Sequence, residues 1–457
     1  MQRRIILTIS CLAVFFETLD ASVLNMAIPS MEQYFDFGPE AIQWVQALYL
    51  LFYGGFVLLG GRLTDIKGRR NVYITGAAIF GAASFAAGCA GSFGWLLACR
   101  AVQGIGVAFA IPAAIAIIIH TFNEPEERNR AMGIFGAMAG TGFATGLAIG
   151  GLISAYWGWQ WVFFINVPVI VLAIILALTY IPADRKNEHQ LPSDYKSGLM
   201  ITTLMLAAAW MVHSLAEIAT HPWMFAATLP GFLLLGSYFI KRERSLAMPL
   251  VDFSVFRLDG AIAGNLAALL TGAAFVSYLF LLTLYLQQHL LFSPASAGLL
   301  LLPFSIMSGL FSKFVLPHCF KRLGVTGVGL LGNAFMVTGF LCFILSYSGV
   351  WPLPLIVFGI FCTNTVGISM IFPSVTILSV QSAPPPQQGL ASGINGTSNS
   401  FGGGFGLSVT GLVMQVAPVM QMDMHLASLA VLLVFEALAI VTLVVYQRRR
   451  VKLAQGM

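Results

Sequence analysis

The sequence predicts an all-α integral membrane protein of fourteen transmembrane helices: two six-helix bundles joined by two further spans, with both termini in the cytoplasm. Three observations predict it. Hydrophobic residues make up 58% of the chain and charged residues only 9%, against roughly 25% charged residues in soluble domains. Apolar runs of about 18 to 25 residues recur along the whole length, each long enough to cross a bilayer as a helix. The basic residues fall in every second segment between those runs, as the bias of Lys and Arg toward the cytoplasm requires.

The first six spans fall near residues 5–29, 42–63, 72–91, 94–119, 131–154 and 160–181. Two more follow near 197–215 and 223–240, then six near 260–287, 295–317, 325–346, 351–378, 388–416 and 426–446. The opening MQRRIILTISCLAVFF has the charged and apolar parts of a signal peptide, but no small-residue cleavage site follows and the apolar run continues past Glu17 to Pro29. It reads as an uncleaved first span. With the N-terminus inside, 21 of the 23 Lys and Arg fall in cytoplasmic segments, from Arg3 and Arg4 through Arg185, Lys186 and Lys196 to Lys452. The other two, Arg100 and Lys313, lie within spans, and Glu32, Asp36, Glu40 and Asp423 fall outside. A missed span would scramble this parity. The expected organisation is therefore 1–181 as the first bundle, 182–259 as a linker with two additional spans, and 260–457 as the second bundle and a cytoplasmic tail.

Other classes of function find little support. The net charge of +5 is accounted for by cytoplasmic loops and gives no reason to expect nucleic acid. The six cysteines are scattered without metal-ligand or disulfide spacing and read as packing residues, so no metal is expected. There is no Gly-Lys pair, hence no phosphate-binding loop for ATP, and neither G-x-S-x-G nor H-E-x-x-H occurs. One H-x-x-x-x-D, His189 to Asp194, sits in a polar linker and reads as coincidence. An enzyme is not expected.

Residues 60–70, GGRLTDIKGRR, concentrate charge at the second-to-third turn. Asp65 faces the negative end of its helix dipole, unfavourable by roughly 0.3 to 1 kcal/mol, so it should have a partner. Gly61 would admit a neighbouring helix, and Gly68 would permit a tight turn at positive φ. Arg69 or Arg70 could return to Asp65 or to a helix C-terminus. A weaker counterpart, LPHCFKRLGVTG, follows the tenth span at the same place in the second bundle. Two related halves are a recurrent architecture of secondary transporters.

Gly61, Leu63, Asp65, Gly68, Arg69 and Arg70 resemble the loop signature of the major facilitator superfamily. LDASVLNMAIP (19–29), LLACRAVQGIGVAFAIPAA (96–114), WQWVFFINVP (159–168) and GLASGINGTSNSFGGGFG (389–406) resemble span signatures of its fourteen-span drug:proton antiporters, a multidrug efflux family. The fifth-span antiporter signature departs from the pattern: GFATGLAIGG has Leu147 where proline is expected. It keeps Gly142, Gly146, Gly150 and Gly151 for close helix packing.

The resemblance implies the major facilitator fold and a secondary transporter, with proton-coupled efflux of lipophilic cationic or neutral drugs by alternating access. Export or symport of one metabolite, such as a siderophore or antibiotic, stays open, as does, more remotely, a membrane-embedded enzyme. The implied partners are a small-molecule substrate, protons and the lipid bilayer of the inner (cytoplasmic) membrane. No cofactor beyond a proton gradient is implied. A monomer would suffice, and an accessory periplasmic partner stays open.

Ionisable groups within spans are expensive and mark function by default. Asp20 and Arg100 lie about 13 and 9 Å from the external ends of spans one and four, at 1.5 Å per residue. These helices are neighbours in the fold the resemblance implies, so a contact between them is expected. Glu17 lies one turn from Asp20 on the same face. Burial and a neighbouring carboxylate both favour an acid's neutral form, as a proton carrier requires, so Asp20, Glu17 and Arg100 form the expected coupling group. Glu436, in span fourteen, is read as structural. Gly61, Asp65, Gly68, Arg69 and Arg70 form the expected conformational latch. Trp44, Tyr49, Tyr53, Gln103, Tyr278, Tyr285, Met307 and Met370 are the expected cavity wall.

Overall fold

Every apolar run counted in the sequence is a helix in the computed structural model, which describes residues 2–183, 194–218, 221–246, 249–347, 349, 351–384 and 387–454. Among the described residues, 14 helices are long and apolar enough to span a membrane. They are α1 (Gln2–Phe35), α2 (Pro39–Lys67), α3 (Arg69–Gly88), α4 (Phe93–Thr121), α5 (Glu126–Tyr156), α6 (Trp161–Tyr180) and α7 (Tyr195–Glu217). Then come α8 (Pro222–Ser245), α9 (Ala261–His289), α10 (Pro294–Phe314), α11 (Leu316–Ser346), α12 (Pro352–Val380), α13 (Gln388–Val419) and α14 (Met424–Val451). Several run past the apolar stretch that announced them, α1 by six residues at its C-terminal end, because helical hydrogen bonding does not stop where the hydrocarbon does. Arg185, Lys186 and His189 lie outside the described residues.

The expected tight turn is present. Gly68 joins α2 to α3 at φ 91°, ψ 144°, a conformation that only glycine adopts without strain. Gly324, in the counterpart segment, has φ 68° at a kink inside α11. Two features had no sequence signal: α9 ends in a π-helical turn, Tyr285–His289, and α12 contains another, Phe361–Gly367.

The chain divides into two compact units, Met1–Leu206 with Leu282–Pro303, and Ala207–Leu281 with Phe304–Met457. Glycine seams hold the first together. A Cβ on Gly142 would strike the Phe15 carbonyl, on Gly146 the Leu19 carbonyl and Ser22, and on Gly150 Val23, so these three residues press α5 against the backbone of α1. Gly151 turns instead to Pro294 of α10, whose Gly298 lies on the carbonyl of Leu147. Between α2 and α4, Gly60 meets the Ala108 carbonyl and Gly104 the Tyr49 carbonyl. The close approach expected at Gly61 is therefore made one residue earlier. A Cβ on Gly61 would reach only Pro112, at 4.0 Å, because that position points away from the seam. In the second unit α9 and α13 meet the same way, with Gly402 on Leu269 and Gly406 on Ala273.

This geometry separates two adjacent glycines. Gly60→Val should lower thermal stability in detergent by about 1 to 3 kcal/mol or prevent folding, as overpacking does. Gly61→Ala should melt like the wild type. Equal behaviour of the two variants would mean that the α2 and α4 backbones do not meet at Gly60.

Candidate functional site

The site is built on the first-span segment LDASVLNMAIP. Its aspartate, Asp20, is 1% exposed and Arg100 of α4 is fully buried. Arg100 Nη1 donates to Asp20 Oδ2 at 2.7 Å, the contact expected from the sequence. Nη1 also donates to Gln103 Oε1 at 2.8 Å, and Nε donates to the Val45 carbonyl of α2 at 2.9 Å. The guanidinium lies over the Tyr49 ring, 4.3 Å from its centre. Asn166 of α6 donates from Nδ2 to the second carboxylate oxygen, Asp20 Oδ1, at 2.8 Å. Gln103 Nε2 donates in turn to Ser84 Oγ of α3, also at 2.8 Å. Five helices thus contribute to one buried polar network.

Such a network answers the main difficulty of placing charge in a membrane. Desolvating two ions costs several kcal/mol each, and their attraction offsets this only if the geometry is good and the remaining polar atoms are bonded. Both Asp20 oxygens are engaged here, and Arg100 has three donor contacts and an aromatic face. Sequence reasoning missed Asn166 and Ser84. Asn166 stands in the quoted WQWVFFINVP, where a polar residue inside an apolar run was the available signal.

Glu17, one turn from Asp20, lines a cavity of about 30 Å³ in the first unit with Leu12, Phe16, Tyr73, Phe80 and Ile111. That is room for about one water. Its carboxylate makes no hydrogen bond among the described residues, and Tyr49 and Tyr53 are its electrostatic neighbours. Glu436 of α14 is fully buried, and both its oxygens lack a hydrogen-bond partner among the described residues.

The proposed cavity residues occupy varied surroundings. Tyr49 and Gln103 belong to the Arg100 network. Tyr278 is fully buried, its hydroxyl 2.8 Å from Thr363 Oγ1 and its ring against Phe340 and Phe343. Tyr285 stacks on His289, and Met370 lies in an apolar cluster with Leu316, Val328 and Val366. Met307 is 42% exposed, while Trp44 and Tyr53 are partly buried.

At the charged turn, Arg70 Nη2 donates to the Leu178 carbonyl at 2.8 Å, in the last turn of α6. It takes the helix C-terminus rather than Asp65. Asp65 is exposed and has no hydrogen bond or ion pair among the described residues; Arg62 and Arg69 are its nearest electrostatic neighbours.

A Major Facilitator Superfamily model matches residues 10–407. The multidrug resistance protein Stp of Mycobacterium tuberculosis is 30% identical over 420 residues, covering 91% of this chain and 76% of its own. The cephamycin export protein CmcT of Amycolatopsis lactamdurans is 32% identical over 414 residues, covering 88% and 83%. Among solved structures, the nucleoside transporter NupG superposes with a TM-score of 0.64 at 14% identity, covering 98% of this chain and 98% of its own. A D-xylose-proton symporter gives 0.68 at 13% identity, covering 98% and 97%. These two likenesses concern the fold.

Asn166→Leu removes a donor from a buried carboxylate and should cost about 1 to 3 kcal/mol of stability. Arg100→Leu strands the charge itself and should cost about 3 to 5 kcal/mol. Thermal melting in detergent measures both. If Asn166→Leu melts and transports as the wild type does, Asn166 has no part in holding the network.

Proposed function

The chain belongs to the Major Facilitator Superfamily, and from that membership we propose that it exports lipophilic cationic or neutral drugs in exchange for protons, by alternating access. It is a multi-pass membrane protein of a transporter family; the inner (cytoplasmic) membrane is the proposed location, the monomer the proposed working unit, and the proton gradient the sole energy source. The observation that carries the reading is the buried Asp20 and Arg100 pair with Asn166 and Gln103. Protonating Asp20 would cancel its charge, weaken the contact to Arg100 and change the load on α1, α4 and α6 together. Glu17, without a hydrogen bond among the described residues and beside a water-sized cavity one turn away, is suited to pass the proton on. The names of Stp and CmcT, a multidrug resistance protein and an export protein, support the outward direction.

A single natural product as cargo is the second reading. CmcT's name favours it; Leu147, in place of the antiporter-motif proline, bears on the direction of transport and leaves symport as its alternative.

Gly61, Asp65, Gly68, Arg69 and Arg70 form the proposed latch. Asp65, exposed and without an ion pair among the described residues, would pair in the other conformation. A pair worth on the order of 1 to 2 kcal/mol would shift the ratio of two conformations about five- to thirty-fold.

Two measurements test these readings. In proteoliposomes with an imposed pH gradient, wild-type protein should move a lipophilic monocationic dye without ATP. Asp20→Asn, which keeps the shape and removes the titratable group, should lose at least about a hundredfold of the gradient-driven rate, the lower end for a positioned acid or base. Near-normal rates in Asp20→Asn, or equal transport with no gradient, would remove Asp20 or the proton from the mechanism. For the latch, Asp65→Asn should alter spin-label distance distributions between the α2 and α13 ends nearest Lys67 and Gln388, and should slow turnover. Unchanged distances with unchanged transport would leave the loop charges with orientation as their role.

A further inference from the structure

Helix α8 is nearly unpartnered: among the described residues only Phe239 and Glu243 of its 24 are buried, and Leu233 and Ile240 are 59% and 41% exposed. In a membrane that surface meets acyl chains. Leu233, Ile240 and Arg244 recur at i, i+7 and i+11, so they form one stripe along the helix. The stripe is apolar through the span and ends on a guanidinium.

The chain beyond α8 is folded back by an internal acid. Glu243, 1% exposed, accepts a hydrogen bond from the Val251 N–H at 2.9 Å and lies 3.4 Å from Arg242. Asp252 then caps the 3₁₀ turn Phe253–Arg257 by accepting from the Ser254 N–H at 2.9 Å. Between the end of α8 and this turn lies a cavity of about 620 Å³, lined by Arg244, Arg257, Phe253, Ser254, Leu246 and Pro249. Arg244 stands over the Phe253 ring, 5.9 Å from its centre.

The lining carries two guanidiniums and two carboxylates, and Lys241 and Arg242 beside it leave this end of α8 net positive. The two acids, Glu243 and Asp252, each already accept a backbone N–H. Arg244 and Arg257 make no hydrogen bond or ion pair among the described residues. Two guanidiniums with no ion pair of their own among the described residues, beside the apolar side chains of Leu246, Pro249, Val251 and Phe253, match a phosphate oxyanion attached to an apolar chain. The clustering of Lys and Arg assigns this end of α8 to the cytoplasmic leaflet, which carries the anionic lipids.

We propose that this pocket binds the phosphate headgroup of an anionic glycerophospholipid, whose acyl chain lies along Leu233 and Ile240. Arg244 and Arg257 hold the phosphate. Glu243 is a positioning residue that closes the wall. The site does not depend on what is transported or in which direction.

Native mass spectrometry of the full-length protein in detergent, titrated with phosphatidylglycerol and phosphatidylcholine, tests the proposal. The wild type should retain phosphatidylglycerol preferentially. The Arg244→Gln, Arg257→Gln double variant should lose on the order of ten- to thirty-fold of that preference, the size expected for two basic residues at an anionic headgroup. Arg244→Lys with Arg257→Lys should keep most of it, separating loss of charge from loss of fold. Leu233→Asn with Ile240→Asn, which leaves every charge in place, should weaken phosphatidylglycerol binding too. An unchanged preference in the glutamine variant overturns the proposal. So does displacement of phosphatidylglycerol by inorganic phosphate at equal concentration, which would mark a soluble-anion site.

Discussion

One buried ion pair governs the first unit. Asp20 and Arg100 sit 2.7 Å apart, both essentially without solvent. In an apolar span such a pair is costly unless further hydrogen bonds answer its remaining polar atoms, and here they answer most of them, with Arg100 Nη2 and Asn166 Oδ1 left without a partner among the described residues. That requirement recruits Asn166 from α6, Gln103 from the next turn of α4, Ser84 from α3 and a backbone carbonyl from α2. It also demands helices close enough for short side chains to reach across. The glycine seams meet that second demand: α5 on α1 through Gly142, Gly146 and Gly150, and α4 on α2 through Gly60 and Gly104. Lipid tails are as apolar as leucine, so helices in a bilayer gain little from hiding leucine from one another. Close backbone contact and a few buried polar bonds must do more of the work.

What the sequence made legible follows from the same physics. Spans are legible because a bilayer leaves a length and a polarity in the residue string, and fourteen runs became fourteen helices. The Asp20 and Arg100 contact was legible because charges inside a membrane are rare and costly, so two of opposite sign, on helices the resemblance makes neighbours and within an arginine's reach in depth, point to one another. Asn166 was harder to read. An asparagine is tolerated in a span for many reasons, and only the fold shows its amide meeting the second oxygen of Asp20. The seam at Gly60 was placed one residue late because the turn signature drew attention to Gly61. A shift of one residue rotates a helical position by about 100°, enough to move it off the interface. The π-helical turns in α9 and α12 left no pattern, since one inserted residue per turn does not alter composition.

The charged turn after α2 shows where a static conformation and a transport cycle diverge. Gly68 has the positive φ its sequence required, and Arg70 is bonded to the end of α6. Those two contacts organise the turn within its own unit. Asp65 is different. An exposed carboxylate at the unfavourable end of a helix dipole, with no ion pair of its own among the described residues, gains little from this conformation. On the proposed latch, pairing in another state would offset that cost and bias the two states against one another.

The coupling of a proton to a conformational change needs a group whose charge matters to several rigid bodies at once. Asp20 meets that condition through the geometry of its two oxygens. One faces Arg100, which is tied to the backbone of α2, and the other faces Asn166 at the start of α6. Removing the charge would not merely weaken one contact; it would loosen the tie between α1 and two other helices. Because α5 is pressed against α1 by three glycines, it cannot slide without disturbing backbone contacts, and a packed seam has discrete rather than graded alternatives. A small chemical event at Asp20 is thereby confined to a choice between packed arrangements. On the proposed mechanism, that confinement would let a single proton, worth only about 1.4 kcal/mol per tenfold difference in concentration, bias the position of whole helices.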